Sequence, residues 1–185
     1  MAKLNSFTNV TLDGYFADRD GEMGFFHEQD PEWTAFTEKN ASGGGALLFG
    51  RKTYEMMASF WPTDMARKQM PVVADKMNRS RKFVVSRTLG TAPWENTQVL
   101  AGELATEIRR LKSSDMDVAI LGSGSLVAQL AALSLIDELT LAVHPLVLGR
   151  GKNLFEGVQQ RFPLRLAKTR AFGNGTIVST YVPAR

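Results

Sequence analysis

The chain has 185 residues, the length of one ordinary domain, and its 44% hydrophobic and 22% charged content excludes disorder and collagen-like repeats. A net charge of +3, from 22 Lys+Arg against 19 Asp+Glu, is too small for a dedicated nucleic-acid surface. The absence of cysteine removes disulfides, thiol nucleophiles and thiolate metal sites.

Two lone histidines, His27 and His144, lack any metal-binding spacing, so no metal is expected. The basic runs at residues 79–82 and 109–112 read as solvated faces. No apolar run is long enough to cross a membrane, and the N-terminus alternates rather than building a signal core. A soluble, cytoplasmic protein is expected, with one domain over residues 1–185.

Residues 3–12 alternate as a strand does, and Asp13-Gly14 supplies a turn. A Gly-rich, acidic loop at 18–24 precedes a helix-start signal at Asp30-Pro31, after which Trp33 and Phe36 share one helical face. Beyond the SGGG stretch at 42–45, Ala46-Leu47-Leu48-Phe49 is apolar without alternation, as in a strand covered on both faces. A helix is predicted over 51–60, stopped by Trp61-Pro62. Residues 62–79 leave two alternatives, a short helix near 72–77 or a loop over the site. Strands are expected at 82–86 and 98–100, a helix at 103–112, a buried strand at 118–121 and a helix at 126–135. The recurring strand, glycine, helix rhythm argues for a largely parallel α/β sheet. The ending differs: 138–148 is strand-like, and 164–169 with 176–182 flank Gly173-Asn174-Gly175, a hairpin signal. The fold class is therefore α/β, a mixed and mostly parallel sheet flanked by helices with antiparallel C-terminal strands.

Three strand ends combine small residues, hydroxyls and cations: Gly50-Arg51-Lys52-Thr53, Ser86-Arg87-Thr88 and Gly122-Ser123-Gly124-Ser125. Ligand crevices of open α/β sheets lie beyond such ends. Glycines there admit a phosphate to the backbone, and the helix that follows presents unpaired N–H groups, although a tight turn alone also needs glycine. Arg51, Lys52 and Arg87 are cations suited to phosphates, and equally ordinary surface charges when each is taken alone. The residue about 20 positions beyond the glycine loop is Ala142 and not an acid, which favours a 2′-phosphorylated dinucleotide, NADPH over NADH. The spacing of a serine-hydrolase elbow is absent.

These segments, with Leu12-Asp13-Gly14-Tyr15-Phe16-Ala17, Leu48-Phe49-Gly50, Lys82-Phe83-Val84-Val85, Leu121-Gly122 and Pro145-Leu146-Val147-Leu148-Gly149-Arg150-Gly151 before Asn153-Leu154-Phe155, resemble the dihydrofolate reductase-like superfamily. Within it, the resemblance is to the reductase domain of the bacterial riboflavin-biosynthesis deaminase-reductase, as a stand-alone member without the deaminase. The resemblance implies an NADPH-dependent oxidoreductase that transfers hydride to a C=N or C=O of a small heterocyclic, pyrimidine- or pterin-like substrate. It places Arg51, Lys52 and Thr53, following Gly50, at the adenosine phosphates, Ser86 and Arg87 at the 2′-phosphate, and Gly122, Ser123, Gly124, Ser125 and Leu126 at the pyrophosphate. Asn9, Phe16 and Ala17 would lie near the nicotinamide, beneath a mobile loop at 18–24. A catalytic carboxylate is expected on the first helix, with Glu32 and Asp30 competing; helix capping and first-turn charge explain both equally well. The alternative function is a non-catalytic nucleotide-binding or sensory protein on the same fold. Partners are expected to be a small-molecule substrate, neither nucleic acid nor membrane. A homodimer through the C-terminal strands would use Leu139, Leu141, Val143, Leu146 and Leu148 as its apolar edge, residues that internal sheet pairing explains equally.

Overall fold

The computed structural model describes residues 2–26, 30–41 and 45–184; His27 and three residues of the SGGG stretch, Ser42, Gly43 and Gly44, lie outside them. In chain order the elements are β1 (Leu4–Thr11), β2 (Tyr15–Ala17), α1 (Pro31–Ala41), β3 (Ala46–Gly50), α2 (Arg51–Phe60), α3 (Asp64–Gln69), α4 (Pro71–Arg79), β4 (Lys82–Val85), β5 (Thr97–Leu100), α5 (Leu104–Lys112), β6 (Val118–Leu121), α6 (Gly124–Ala132), β7 (Glu138–His144), β8 (Lys152–Asn153), β9 (Leu164–Ala171) and β10 (Ile177–Pro183). Eight strands form one sheet in the order β5-β4-β3-β6-β1-β7-β10-β9, while β2 and β8 pair separately. Neighbours from β5 through β7 run parallel, and β10 runs antiparallel to β7 and to β9. This is the mixed, mostly parallel α/β sheet with antiparallel C-terminal strands that the sequence predicts.

The unalternating strands are covered on both faces. Leu48, Phe83 and Ile120 pack with Ile108 and Leu111 of α5 and Val127 and Leu130 of α6 on one face. Phe49 and Val84 point the other way, against Tyr54, Val73, Met77 and Trp94. Each large side chain buried this way contributes about 2 kcal/mol, which is why four apolar residues in a row suffice for a central strand. Further along the second face, Trp33 of α1 meets Phe172 edge-on at 5.2 Å, closing α1 onto the hairpin of β9 and β10.

Several expectations change. Of the two alternatives for residues 62–79 the helical one holds, and it extends to two helices, α3 and α4: the Thr63 side chain caps α3 by accepting from Ala66 N, and Pro71 starts α4 at its first turn. The helix expected over 126–135 begins at Gly124, because Gly122 and Ser123 both adopt left-handed backbone, φ +58° and +57°, and turn the chain into the helix at once. The strand expected over 138–148 stops at His144, since Pro145 has no N–H for the ladder. The apolar residues of β7 are not an edge, because β7 lies between β1 and β10; the edge strands are β5 and, on the C-terminal side, β9, which is exposed along most of its length. Finally, Lys82 is not part of a solvated basic face. It is fully buried, and Nζ donates to Asn78 O at 2.9 Å and Ser80 O at 2.6 Å and stands 4.6 Å from the Trp94 ring centroid. Among the described residues, no helix is long and apolar enough to cross a membrane.

Candidate functional site

Parallel strands that share a direction end together, so the segments following β3, β4, β5 and β6 converge at one edge of the sheet. There they line a groove of about 670 Å³ formed by Gly50, Arg51, Ser86, Arg87, Glu103, Ser125 and their neighbours. One hydrogen-bond chain fixes its floor. Gly50 N donates to Ser123 Oγ at 2.7 Å, and Ser123 Oγ donates to Thr53 Oγ1 at 2.9 Å. The left-handed pair at Gly122 and Ser123 makes this possible by lifting the serine side chain back toward β3 instead of into the helix. A Cβ at Gly122 would meet Thr53 Cγ2 at 3.1 Å on a left-handed backbone of φ +58°, and one at Gly124 would run into the Phe16 ring, so close approach calls for glycine at 124 and backbone conformation favours it at 122. Ser86 is held similarly, its Oγ accepting from Leu89 N at 3.0 Å and Thr88 N at 3.2 Å, which folds Arg87 outward as an exposed cation.

The structure therefore brings Gly50, Arg51, Ser86, Arg87, Ser125 and Leu126 to one groove, with Gly122, Ser123 and Gly124 at the turn beneath. Thr53 is spent on Ser123, and Lys52 is an exposed residue outside the lining. Phe16 and Ala17 lie on the other side of the α6 start, Phe16 against Gly124 and Ala17 buried with its carbonyl close to Gly151. Asn9 points to the face that α1 covers. Its Oδ1 lies 3.0 Å from His144 Nε2, which assigns the ring proton to Nε2 and leaves Nδ1 to accept from Thr176 Oγ1 at 3.4 Å. His144 is buried between Phe26 and Trp33, and that desolvation pushes its pKa down to about 4, so the ring is neutral.

Neither of the two candidate carboxylates at the start of α1 is buried. Asp30 accepts from Trp33 N at 2.6 Å and caps α1. The Glu32 side chain is half-exposed, and its Oε1 accepts from Arg170 Nη2 at 2.6 Å while that guanidinium stacks on Phe172. Position at the cap favours the first role and position in the first turn the second.

Two motifs far apart in the chain meet beyond the end of β1. Asp13 accepts from Thr11 Oγ1 at 2.6 Å, Gly149 N at 2.7 Å and Leu148 N at 3.1 Å, and the Thr11 hydroxyl is the main reason its carboxyl lies below the ordinary range. Tyr15 then pairs with Asn153 and Ala17 with Lys152. The loop at 18–24 closes on Asp18, whose Oδ1 accepts from the amides of Asp20, Gly21 and Glu22. Sequence reasoning missed Ala101, Gly102, Glu103 and Gln129 in the groove lining. The signal available was the short strand before Glu103, whose end had to lie beside Ser86.

A family model described as the RibD C-terminal domain matches residues 2–178. Among curated proteins, the uncharacterized protein YyaP of Bacillus subtilis (strain 168) is 29% identical over 175 residues, 93% of this chain and 90% of its own. Among solved structures, a putative riboflavin biosynthesis protein from Shewanella sp. PV-4 superposes with a TM-score of 0.76 at 23% identity, over 100% of both chains. A diaminohydroxyphosphoribosylaminopyrimidine deaminase/5-amino-6-(5-phosphoribosylamino)uracil reductase from Thermotoga maritima superposes at 0.71 with 14% identity, over 99% of this chain and 57% of that one. At these identities the superpositions establish a shared fold.

Proposed function

The chain belongs to the RibD C-terminal domain family, and from that premise we propose that it is an NADPH-dependent reductase of a small heterocyclic substrate, pyrimidine- or pterin-like. The observation that carries this is the convergence of three strand ends on one groove with two guanidinium groups, Arg51 and Arg87, at its wall. The turn fits a dinucleotide: left-handed Gly122 and Ser123 lead straight into α6, and the amides of Gly124 and Ser125 come before the first bonded amide of that turn, Leu126 N to Ser123 O at 2.8 Å, so they are the donors a pyrophosphate would take. Arg87 and Ser86 would hold a 2′-phosphate, Arg51 the phosphates between, and the α6 start the pyrophosphate. When bound, the cofactor supplies the hydride. Lys52 and Thr53 support that site from outside and below, and Phe16 with Ala17 would border the ring that carries the hydride. Asp30 and Glu32 being committed to the cap and to Arg170, the proton that completes the reduction is assigned to solvent.

Titrating NADPH by its fluorescence against the folded chain tests the cofactor assignment, with saturation expected at micromolar concentration; no binding at millimolar cofactor would contradict it. Oxidation of NADPH with a panel of pyrimidines, pterins and small carbonyl compounds then identifies the substrate class. A second reading, nucleotide binding without turnover, draws on Asp30 capping α1 and Glu32 pairing with Arg170, and NADPH binding with no oxidation across the panel would favour it. For subunit pairing through the C-terminal strands, the surface to use is β9, the edge strand on that side of the sheet, and light scattering reports it.

A further inference from the structure

β5 lies beside β4, and Ser86 N donates to Leu100 O at 3.1 Å, so the segments following these two strands leave the sheet side by side. One carries Arg87 and the other carries Glu103, and both line the groove. Glu103 caps α5: Oε1 accepts from Ala105 N at 2.9 Å, and Oε2 accepts from Thr106 N at 2.8 Å and Thr106 Oγ1 at 2.7 Å. These donors, the Thr106 hydroxyl foremost, hold its carboxyl below the ordinary range, and Arg109 adds the smallest of the influences. The carboxylate is thus charged at neutral pH and fixed in place, unlike a long side chain free to swing into solvent. The other acid on this helix, Glu107, leans over Gly102 but pairs with Arg110 at 2.7 Å. Oε1 keeps one lone pair after its bond to Ala105 N.

We infer that Glu103 sets the cofactor choice of this groove: its fixed negative charge opposes the 2′-phosphate that Arg87 attracts, and its free lone pair offers an acceptor to a ribose hydroxyl, which keeps the preference for NADPH over NADH small. An acid beyond a strand end is the device by which dinucleotide folds hold an unphosphorylated ribose. Here it reaches the groove from β5, and not from a position 20 residues past the glycine loop. This inference rests on the dinucleotide assignment above.

The experiment is fluorescence titration of NADPH and NADH against the full chain and against Glu103→Gln and Glu103→Ser. Serine retains a good capping oxygen for α5 without the charge, and glutamine retains one acceptor, so the two variants perturb the cap differently. The expected result is a wild-type preference for NADPH of no more than about tenfold, rising by about 3- to 10-fold in both variants through gain of NADPH affinity, the scale of a phosphate–carboxylate repulsion in a wet groove. An unchanged NADPH/NADH ratio in both folded variants overturns the role of Glu103. Failure of the wild-type chain to bind either cofactor overturns the dinucleotide assignment itself, and the two failures are distinct.

Discussion

Strand β4 has a cation at its entry and another just past its exit, and they have opposite fates. Lys82 is sealed in, its ammonium answered by two backbone carbonyls and the Trp94 face. Arg87 stands exposed in the groove and, among the described residues, has no ion-pair partner. A buried charge needs its partners inside the fold, because desolvation would otherwise remove the charge or unfold the chain. A charge presented at the rim of a concave site keeps its hydrogen-bonding capacity for something that arrives. The difference separates a structural cation from a binding one, although the sequence presents both as members of basic, strand-flanking segments.

The sharpest way to break this distinction is at Lys82. Lys82→Ala opens a void and strands the carbonyls of Asn78 and Ser80, and should cost about 3 kcal/mol in urea unfolding, with cofactor affinity per folded molecule unchanged. Burial lowers the Lys82 pKa to about 8 from 10.5. The folded chain therefore sheds this proton before the unfolded chain does, and stability conferred at this site should rise as pH increases from 8 toward 10.5. His144 extends the test to a buried group that is neutral. With its pKa at about 4 in the fold against 6.5 unfolded, the unfolded chain takes up the proton first. Stability should be full above pH 6.5, fall as pH drops through that window by about 3 kcal/mol in total, and level off below pH 4. His144→Gln should flatten that part of the profile.

At the groove the expected effects are on binding. Arg87→Ala should weaken NADPH by about 10- to 30-fold, NADH by less than about 3-fold, and leave the melting temperature nearly unchanged, since the residue is exposed. Equal losses for both cofactors would contradict a 2′-phosphate role. The smallest effect should come from Glu32→Gln. An exposed ion pair with Arg170 is worth at most about 1 kcal/mol, and turnover should persist if the proton comes from solvent. Loss of turnover with intact NADPH binding would instead return Glu32 to catalysis.

Much of the fold was legible because periodicity reports burial directly. The alternation of β1 and the unbroken apolar runs of β3 and β6 follow from one covered face or two, and α2 was read at its observed limits. Punctuation was harder. That Ser123 takes a left-handed conformation depends on Gly50 N and Thr53 across 70 or more residues, and no local pattern encodes such a partner. The carboxylates at the start of α1 stayed open between two roles for a related reason: a first-turn acid looks the same whether it faces a pocket or, like Glu32, an arginine on a strand 138 positions later.

The amino-acid sequence by itself determined the class of sheet, the parallel order of its glycine-ended units, the hairpin at the end and the set of strand ends from which a site would be assembled. These depend on side-chain period and on φ preferences, both local properties. Only the tertiary structure decided which charges became buried, which acid entered the groove and which edge was left open. Those outcomes turn on which segments become neighbours, and desolvation and Coulomb energies depend on neighbours in space rather than in sequence.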